Sequence, residues 1–243
     1  CEPLFQPIAS ASVPLISEFD SQGLANLVWA FATIKFQDPP LLEVIAQRSI
    51  QIMPSFSSQG LANTAWAFAK LSVTYWPMME VLAATAVQQL QVNAKSFGSQ
   101  ELAGLAWSLA TIGFADRPLL SAISQAAVST IGTWSFSTQD LANTAWAFAK
   151  LQFRDDQLLD AIAASAVSKM EEFGPRELPS LAWACATQLY FDATLLQALA
   201  AQANRLISAE AEPLGAQGLS NLLWSFARLR VSDPQLFQAI AAA

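Results

Sequence analysis

The chain has 243 residues, of which 53% are hydrophobic and 13% charged, with a net charge of −7 and no histidine. This apolar content excludes a disordered chain. The longest weakly polar runs, about a dozen residues, are shorter than the ~20 that a membrane-spanning helix needs. Without histidine, and with Cys1 and Cys185 as the only cysteines, we expect no histidine catalysis, no structural metal site, no disulfide framework and no cofactor.

One sequence pattern recurs along the chain. The segment LANTAWAFAKL occupies residues 61–71 and returns unchanged at residues 141–151. Looser copies begin at Leu24, Leu102, Leu178 and Leu219. The tryptophans that mark the register are Trp29, Trp66, Trp107, Trp146, Trp183 and Trp224, spaced by 37, 41, 39, 37 and 41 residues. Self-similarity at a period of about 20–50 residues is typical of a solenoid.

The chain divides into a half-repeat followed by six repeats. Residues 1–18 have the pattern of the second helix of a truncated repeat. The full repeats lie at approximately 19–55, 56–96, 97–135, 136–172, 173–213 and 214–243. Neither end carries the polar cap that a solenoid terminus needs, so we expect a fragment of a longer array.

Each repeat predicts two helices, which we call helix A and helix B. Helix A follows an aromatic residue and a cap, carries the tryptophan near its middle and is predicted to end about seven residues after it. The candidate caps are Ser21, Ser58, Ser99 and Thr138. Helix B follows a second cap, usually Asp38, Asp116, Asp155, Asp192 or Asp233. No strand pattern is present, so we predict an all-α fold: a right-handed α-solenoid with helix A on the inner face and helix B outside.

A helical wheel separates two sides of helix A at about 100° per residue. In the second repeat Leu61 and Phe68 fall on one side, which we expect to pack on helix B. The opposite side carries Gln59, Asn63 and Lys70 within about 40°. The corresponding residues elsewhere are Gln22, Asn26, Thr33, Gln139, Asn143, Lys150, Gln217, Asn221 and Arg228. The flanks are mostly alanine, which predicts parallel A helices in close contact.

Two interpretations of this polar side compete. In the functional one, amides bond to base edges, Lys or Arg meets phosphate, and the tryptophan stacks on a base. In the structural one, the amides bond between repeats or to loop backbone, the cations favour a helix C-terminus, and tryptophan serves as core. We favour the structural interpretation for the tryptophans and the functional one for Lys70, Lys150 and Arg228, and leave the amides open. The adjacent acids Asp155–Asp156 and Glu171–Glu172 are expected to be solvated. Nothing pairs a nucleophile with a base, so we expect no enzyme.

The motif Q-x-L-A-N-x-x-W-A-[FL]-A-x-L, followed by a helix that opens D-P-P-L-L-x-x-[IVL], resembles the octotricopeptide repeats. It is also similar to the repeats that precede RAP domains. Residues 22–45, 59–82 and 139–162 match best, whereas the fifth repeat has Pro179 and Ser180 in place of Ala-Asn.

The resemblance implies sequence-specific binding of single-stranded RNA in a chloroplast or mitochondrion, with effects on transcript stability, processing, splicing or translation. The residues predicted to bind RNA are Asn26, Thr33, Gln59, Asn63, Lys70, Gln139, Asn143, Lys150, Asn221 and Arg228. The alternative is a protein-binding scaffold without an RNA role, which the acidic balance and the lack of a continuous basic stripe favour. Other proteins are possible partners in either case, and no membrane association is predicted.

Overall fold

The computed structural model describes residues 2–132, 136–208 and 214–242, which form α-helices, four short 3₁₀ helices and no strand. The predicted repeat ends at positions 135 and 213, and the chain ends at 1 and 243, lie outside the described residues. The thirteen α-helices are α1 Glu2–Ser12, α2 Ser21–Thr33, α3 Pro39–Ile52, α4 Ser58–Lys70, α5 Trp76–Val92, α6 Ser99–Ile112, α7 Arg117–Ile131, α8 Thr138–Lys150, α9 Asp156–Ser168, α10 Glu177–Thr187, α11 Ala193–Ser208, α12 Gly215–Arg228 and α13 Pro234–Ala242. The all-α prediction is therefore confirmed.

The chain forms two compact units, Cys1–Ala126 and Ala127–Ala243. In the first unit the A helix α4 packs extensively on both α2 and α6, and the B helix α3 contacts α5. In the second unit α10 packs in the same way on α8 and α12, and α11 contacts α9 and α13. Within each unit, these helices pack on their counterparts in the next repeat, which is the packing of an α-solenoid, as predicted.

Small residues permit the close contact between A helices. In α4 the flanking Ala62 and Ala69 are buried, and so are Leu61 and Phe68 on the side predicted to face the core. An alanine flank brings two helix backbones closer than a larger side chain would allow. Ala142 and Ala149 of α8 are buried in the same way, so the burial in both units agrees with the predicted approach of A helices through alanine.

The N-caps of the A helices lie one residue before the predicted positions. The observed side-chain caps are Asp20, Ser57 and Ser137, each of which accepts a bond from the backbone N–H three residues later. The predicted caps Ser21, Ser58, Ser99 and Thr138 are instead the first residues of their helices. The prediction was wrong because two small polar residues stand side by side, and spacing alone does not show which of them adopts the extended backbone of a cap.

The displaced serines join neighbouring repeats. The hydroxyl of Ser21 donates to the carbonyl oxygen of Ser55 at 3.0 Å, just before the next A helix. Ser58 makes the same bond to the carbonyl oxygen of Ser96 at 2.7 Å. The start of one A helix is therefore tied to the turn that leads into the next.

The B helices begin as predicted. Each predicted aspartate accepts a hydrogen bond from the backbone N–H three residues later, and the caps are Asp38, Asp116, Asp155, Asp192 and Asp233. Helix α5 is the exception, since Tyr75 precedes it and makes no side-chain cap bond.

Polar side chains near the ends of the B helices satisfy carbonyl groups at the start of the same repeat. Gln89 donates to the carbonyl oxygen of Phe56 at 2.8 Å, and Lys169 donates to that of Phe136 at 2.6 Å. The phenylalanine side chains are themselves buried. Each bond holds the aromatic residue in the core while it pairs a backbone group that would otherwise lack a partner.

A left-handed residue ends every A helix. The sixth residue after each tryptophan has a φ between 53° and 73°, and these residues are Lys35, Ser72, Gly113, Gln152, Leu189 and Arg230. The next N–H bonds back to the carbonyl oxygen five residues earlier, as Val73 does to Phe68 at 3.0 Å. This is the Schellman arrangement. The predicted end about seven residues after the tryptophan is wrong, because the helices stop four or five residues after it.

Gly113→Ala should destabilise the chain, because a Cβ in the left-handed region costs roughly 1–2 kcal/mol. The added Cβ meets no atom within 4 Å, so backbone strain is its main cost. Ser72→Gly should stabilise the chain by up to about 1 kcal/mol for the same reason. Urea unfolding followed by circular dichroism measures both changes.

Gly132→Ala is the matched control for Gly113→Ala, since its Cβ also meets nothing within 4 Å but its φ is not left-handed. Equal unfolding midpoints for the two alanine variants would contradict the role of the left-handed turn.

Candidate functional site

The polar residues predicted on the A helices lie on the surface. In α4, Gln59 and Lys70 are exposed, and Asn63 and Trp66 are half-buried. These four residues are separated by four, three and four positions, a spacing that places them in one line along a helix. We call this line the stripe of an A helix.

Three other A helices carry a full stripe. The stripe of α2 is Gln22, Asn26, Trp29 and Thr33; that of α8 is Gln139, Asn143, Trp146 and Lys150; that of α12 is Gln217, Asn221, Trp224 and Arg228. In each of them the first and last residues are exposed. Helix α6 has Gly104 in place of the asparagine, and α10 has Ser180 there.

The stripe amides of these four helices are free to meet a ligand. None of them hydrogen-bonds to another residue in the described ranges, and none is buried without a partner. Other glutamines bond to backbone carbonyl groups: Gln37 donates to the carbonyl oxygen of Leu71 in the next repeat, and Gln202 donates to that of Phe173 at the start of its own repeat. The structural interpretation of the stripe amides is therefore not supported within the described part of the chain.

A polar groove of about 350 Å³ lies between α2 and α4. Its lining includes the stripe amides Gln22, Asn26, Gln59 and Asn63 together with Asp20, Ser21 and Ser57 at the helix starts. The first turns of both helices line the same groove, so α2 and α4 run in the same direction. The structure thus brings together three predicted site residues, Asn26, Gln59 and Asn63.

The tryptophans lie at the surface. Trp29 and Trp224 are each 45% exposed, and the other four are half-buried. The rings of Trp29 and Trp66 have centroids 6.5 Å apart and planes tilted by 33°. Trp29 and Trp224 are therefore not core residues, whereas the partial burial of the other four tryptophans is compatible with the structural interpretation. The tryptophans border the polar side of the A helices, because the packing of these helices leaves the stripe side uncovered.

A cation stands at the C-terminal end of three stripes. Lys70, Lys150 and Arg228 lie in the last turns of α4, α8 and α12 and are exposed. The Lys70 ammonium is 6.0 Å from the centroid of the Trp66 ring, at the outer range of a cation–π contact. No carboxylate among the described residues forms an ion pair with any of the three. Each cation is therefore available to a phosphate.

The A helices with threonine at the last stripe position differ from those with lysine or arginine there. The hydroxyl of Thr33 donates to the carbonyl oxygen of Trp29 at 2.9 Å, and Thr111 makes the same bond to Trp107 at 2.8 Å. The proton of each threonine is used within its own helix. Of the predicted site residues, Thr33 is thus the least available as a hydrogen-bond donor.

The second unit holds the remaining predicted residues on two separate helices. Gln139, Asn143 and Lys150 are on α8, while Asn221 and Arg228 are on α12. Helix α10 packs on both, so the structure does not bring the two groups together. The prediction from sequence also missed Asp20, Ser21 and Ser57 in the groove of the first unit. Their position beside the first-turn glutamines could have indicated them.

No catalytic group is evident in the described residues. Burial, aided by the negative charge of Asp192, raises the pKa of the Cys185 thiol to about 12, so at neutral pH it is protonated and a poor nucleophile. Asp155 is not merely solvated as expected, because its carboxylate caps α9. The described residues hold no cluster of three or more acidic, cysteine or histidine side chains suited to a metal ion. None of their helices has the length and apolar character needed to cross a bilayer.

These features define the class: a helical-repeat protein whose A helices present amides, tryptophans and cations on one uncovered side. The family follows from the sequence as a whole. The model of the RNA-editing substrate-binding complex 6 protein family matches residues 1–76 and 79–243, and the chain belongs to this family. No curated protein matches the chain. The family match agrees with a helical-repeat protein associated with RNA, while the octotricopeptide type of the repeat stays a prediction.

Cys185 should resist alkylation in the folded chain, because its thiol is buried and its pKa of about 12 leaves almost no thiolate. We expect iodoacetamide to leave a Cys1→Ser variant unmodified under native conditions and to modify it fully in concentrated urea. Mass spectrometry of the intact chain measures the product. Native modification at the rate of a free peptide thiol would contradict this placement.

Proposed function

We propose that the chain is a non-catalytic adaptor that binds single-stranded RNA through the stripes of its A helices. The observation that carries the proposal is the groove between α2 and α4, lined by stripe amides that bond to nothing else in the described residues. Four such amides around one groove suit a polar ligand.

The three kinds of stripe residue match the three parts of a nucleotide. Asparagine and glutamine carry both donors and acceptors, as base edges do. A half-exposed tryptophan offers a flat face to a base, and each base stacked on an aromatic ring contributes about 1–3 kcal/mol. Lys70 at the end of the α4 stripe can pair with a backbone phosphate. The face therefore suits an unpaired strand with accessible bases, because the bases of a duplex are already stacked and paired.

The family match supports the same proposal. Its name describes a protein of a complex that binds RNA-editing substrates. We propose that this chain also acts within such a complex on organelle transcripts, in a mitochondrion or a chloroplast. RNA processing is the role closest to the family name, and transcript stability, splicing or translation would use the same binding face.

A protein-binding role is the second candidate, and it concerns other surfaces. Leu189 and Phe191 are 54% and 63% exposed in the loop between α10 and α11. Exposed apolar side chains of this size suit a protein contact. We propose that protein partners in the complex use such loops, while the stripes remain for RNA.

Neutralising the stripe cations should weaken RNA binding and reduce its dependence on salt. A Lys70→Gln, Lys150→Gln, Arg228→Gln triple variant loses three phosphate contacts. For single strands each contact contributes about 0.7 to the slope of log K against log salt concentration. We therefore expect the slope to fall by about 2, as measured by fluorescence anisotropy with a randomised single-stranded RNA pool at several salt concentrations.

The matched control is a Lys35→Gln, Lys95→Gln, Arg230→Gln variant, which has the same net charge but keeps the stripes intact. All three of these residues are exposed. Equal slopes for the two triple variants would mean that RNA meets the chain through its general charge and not through the stripes.

Gly104→Asn should strengthen RNA binding, because it completes the stripe of α6. A Cβ at Gly104 meets no atom within 4 Å, so the asparagine has room. One added amide bond of roughly 0.5–1.5 kcal/mol predicts a twofold to about tenfold gain in affinity. Gly104→Ala separates this gain from the improved helix propensity that both substitutions bring. If the two variants bind the RNA pool equally tightly, the added amide does not contact RNA.

A further inference from the structure

We propose that the groove between α2 and α4 receives one unpaired guanine base, whose Watson–Crick edge is recognised by the carboxylate of Asp20. This inference rests on the proposed RNA binding and specifies one base of the bound strand. It concerns the first compact unit alone, because every residue of the groove belongs to that unit.

The size of the groove suits a single base. Its volume of about 350 Å³ lies at the lower end of the range of roughly 300–1,000 Å³ for small-molecule sites. The groove is open to solvent, so a base can enter while its ribose and phosphate stay outside. A duplex does not fit, since its bases cannot leave the stack without losing their partners.

The groups in the groove differ in how strictly they select a base. The four amides can each donate or accept, so they accommodate any base edge. Asp20 is exposed and, when ionised, can only accept hydrogen bonds. Its Oδ1 accepts the backbone N–H of Gly23 at 2.7 Å, which fixes the orientation of the carboxylate. Its Oδ2 makes no hydrogen bond within the described ranges. Asp20 is therefore the selective group.

Guanine is the base that best meets an acceptor at this point. Its N1–H and N2–H donors lie side by side, and a carboxylate can accept both in the bidentate manner in which it accepts the two donors of arginine. Uracil offers one N–H between two carbonyl oxygens, and adenine and cytosine place a ring acceptor beside their amino group. Those acceptors would face the carboxylate and be repelled.

A second group at the groove complements guanine. The Ser57 oxygen accepts the backbone N–H of Gly60 at 3.1 Å, which leaves its hydroxyl proton free to donate. The guanine O6 is an acceptor next to the N1–H donor. Ser57, on the α4 side of the groove, can therefore donate to O6 while Asp20, on the α2 side, accepts from N1–H and N2–H. Asp20 also repels phosphate, which directs the backbone of the strand away from the groove.

The acidic cap is particular to α2. The corresponding N-cap is Ser57 in α4, Gly98 in α6, Ser137 in α8, Arg176 in α10 and Leu214 in α12. None of these is acidic. The preference for guanine should therefore apply to one position of the bound RNA and not to every repeat.

The test compares oligouridine RNAs of equal length that carry guanine, inosine, adenine or cytosine at one central position. We expect one guanine to tighten binding of the 243-residue chain about tenfold over oligouridine, the scale of a hydrogen-bonded pair with a charged acceptor. Inosine lacks the N2 amino group and should lose most of this gain. Adenine and cytosine should bind no better than uridine. Fluorescence anisotropy measures each affinity.

Asp20→Asn should abolish the advantage of guanine, measured as the ratio of the affinities for the guanine-containing RNA and for oligouridine. The ratio cancels any change in general RNA affinity that follows from the lost negative charge. Asparagine is as good an N-cap as aspartate, so the helix start is preserved, and circular dichroism with urea unfolding verifies the fold. Asp116→Asn is the control, because Asp116 caps α7 through the same bond to a backbone N–H and lies outside the groove. This control should retain the full preference.

The outcomes separate the two proposals. If the chain binds every RNA of the set equally, or if Asp20→Asn keeps the guanine preference, the guanine site is wrong and RNA binding by the stripes stands. If the chain binds none of the RNAs even at low salt, the proposed function is wrong, the guanine site fails with it, and the protein-binding candidate takes its place.

Discussion

The contact of each A helix with the next, made through alanine, is the constraint on which the rest of the structure depends. Helix α4 packs on α2 and α6, its flanks Ala62 and Ala69 are buried, and Phe68 is buried on the core side. A helix with three of its sides engaged in this way has only one side left for solvent. The stripe occupies that side, so the amides and the tryptophans are exposed for a reason that lies in the packing of the other three sides.

The ends of the A helices fix what each stripe can offer. A cap before the first turn places the glutamine at the N-terminal end, and the left-handed residue six positions after the tryptophan ends the helix just beyond the last stripe position. Lys70 therefore lies in the last turn of α4, where a cation is favoured by the helix dipole by about 0.3–1 kcal/mol. The structural and functional reasons for that cation do not exclude each other, because a last-turn lysine keeps its ammonium in solvent.

The repeat period and the helical wheel predicted the helical pairs, the buried side of helix A and the line of polar residues. These properties depend on the spacing of residues within one helix, which the sequence records directly. The exposure of Trp29 could not be predicted in this way, because it depends on what the neighbouring repeat covers. The shift from Ser21 to Asp20 as cap, and the groove that contains both, depend on backbone angles and on the approach of two helices. Neither is encoded in spacing alone.

The net charge of −7 was the main argument against RNA binding. The structure shows that part of this negative charge lies outside the stripes. Five aspartates accept backbone N–H bonds at the starts of B helices, where a negative charge is stabilised by the helix dipole. They serve the fold at positions outside the stripes. The stripes of α2, α4, α8 and α12 contain no carboxylate and three cations. At physiological ionic strength, screening over about 8 Å makes the local charge of a face matter more than the total. An acidic chain can therefore present a neutral to positive face to a single strand, with Asp20 as a local exception that selects a base.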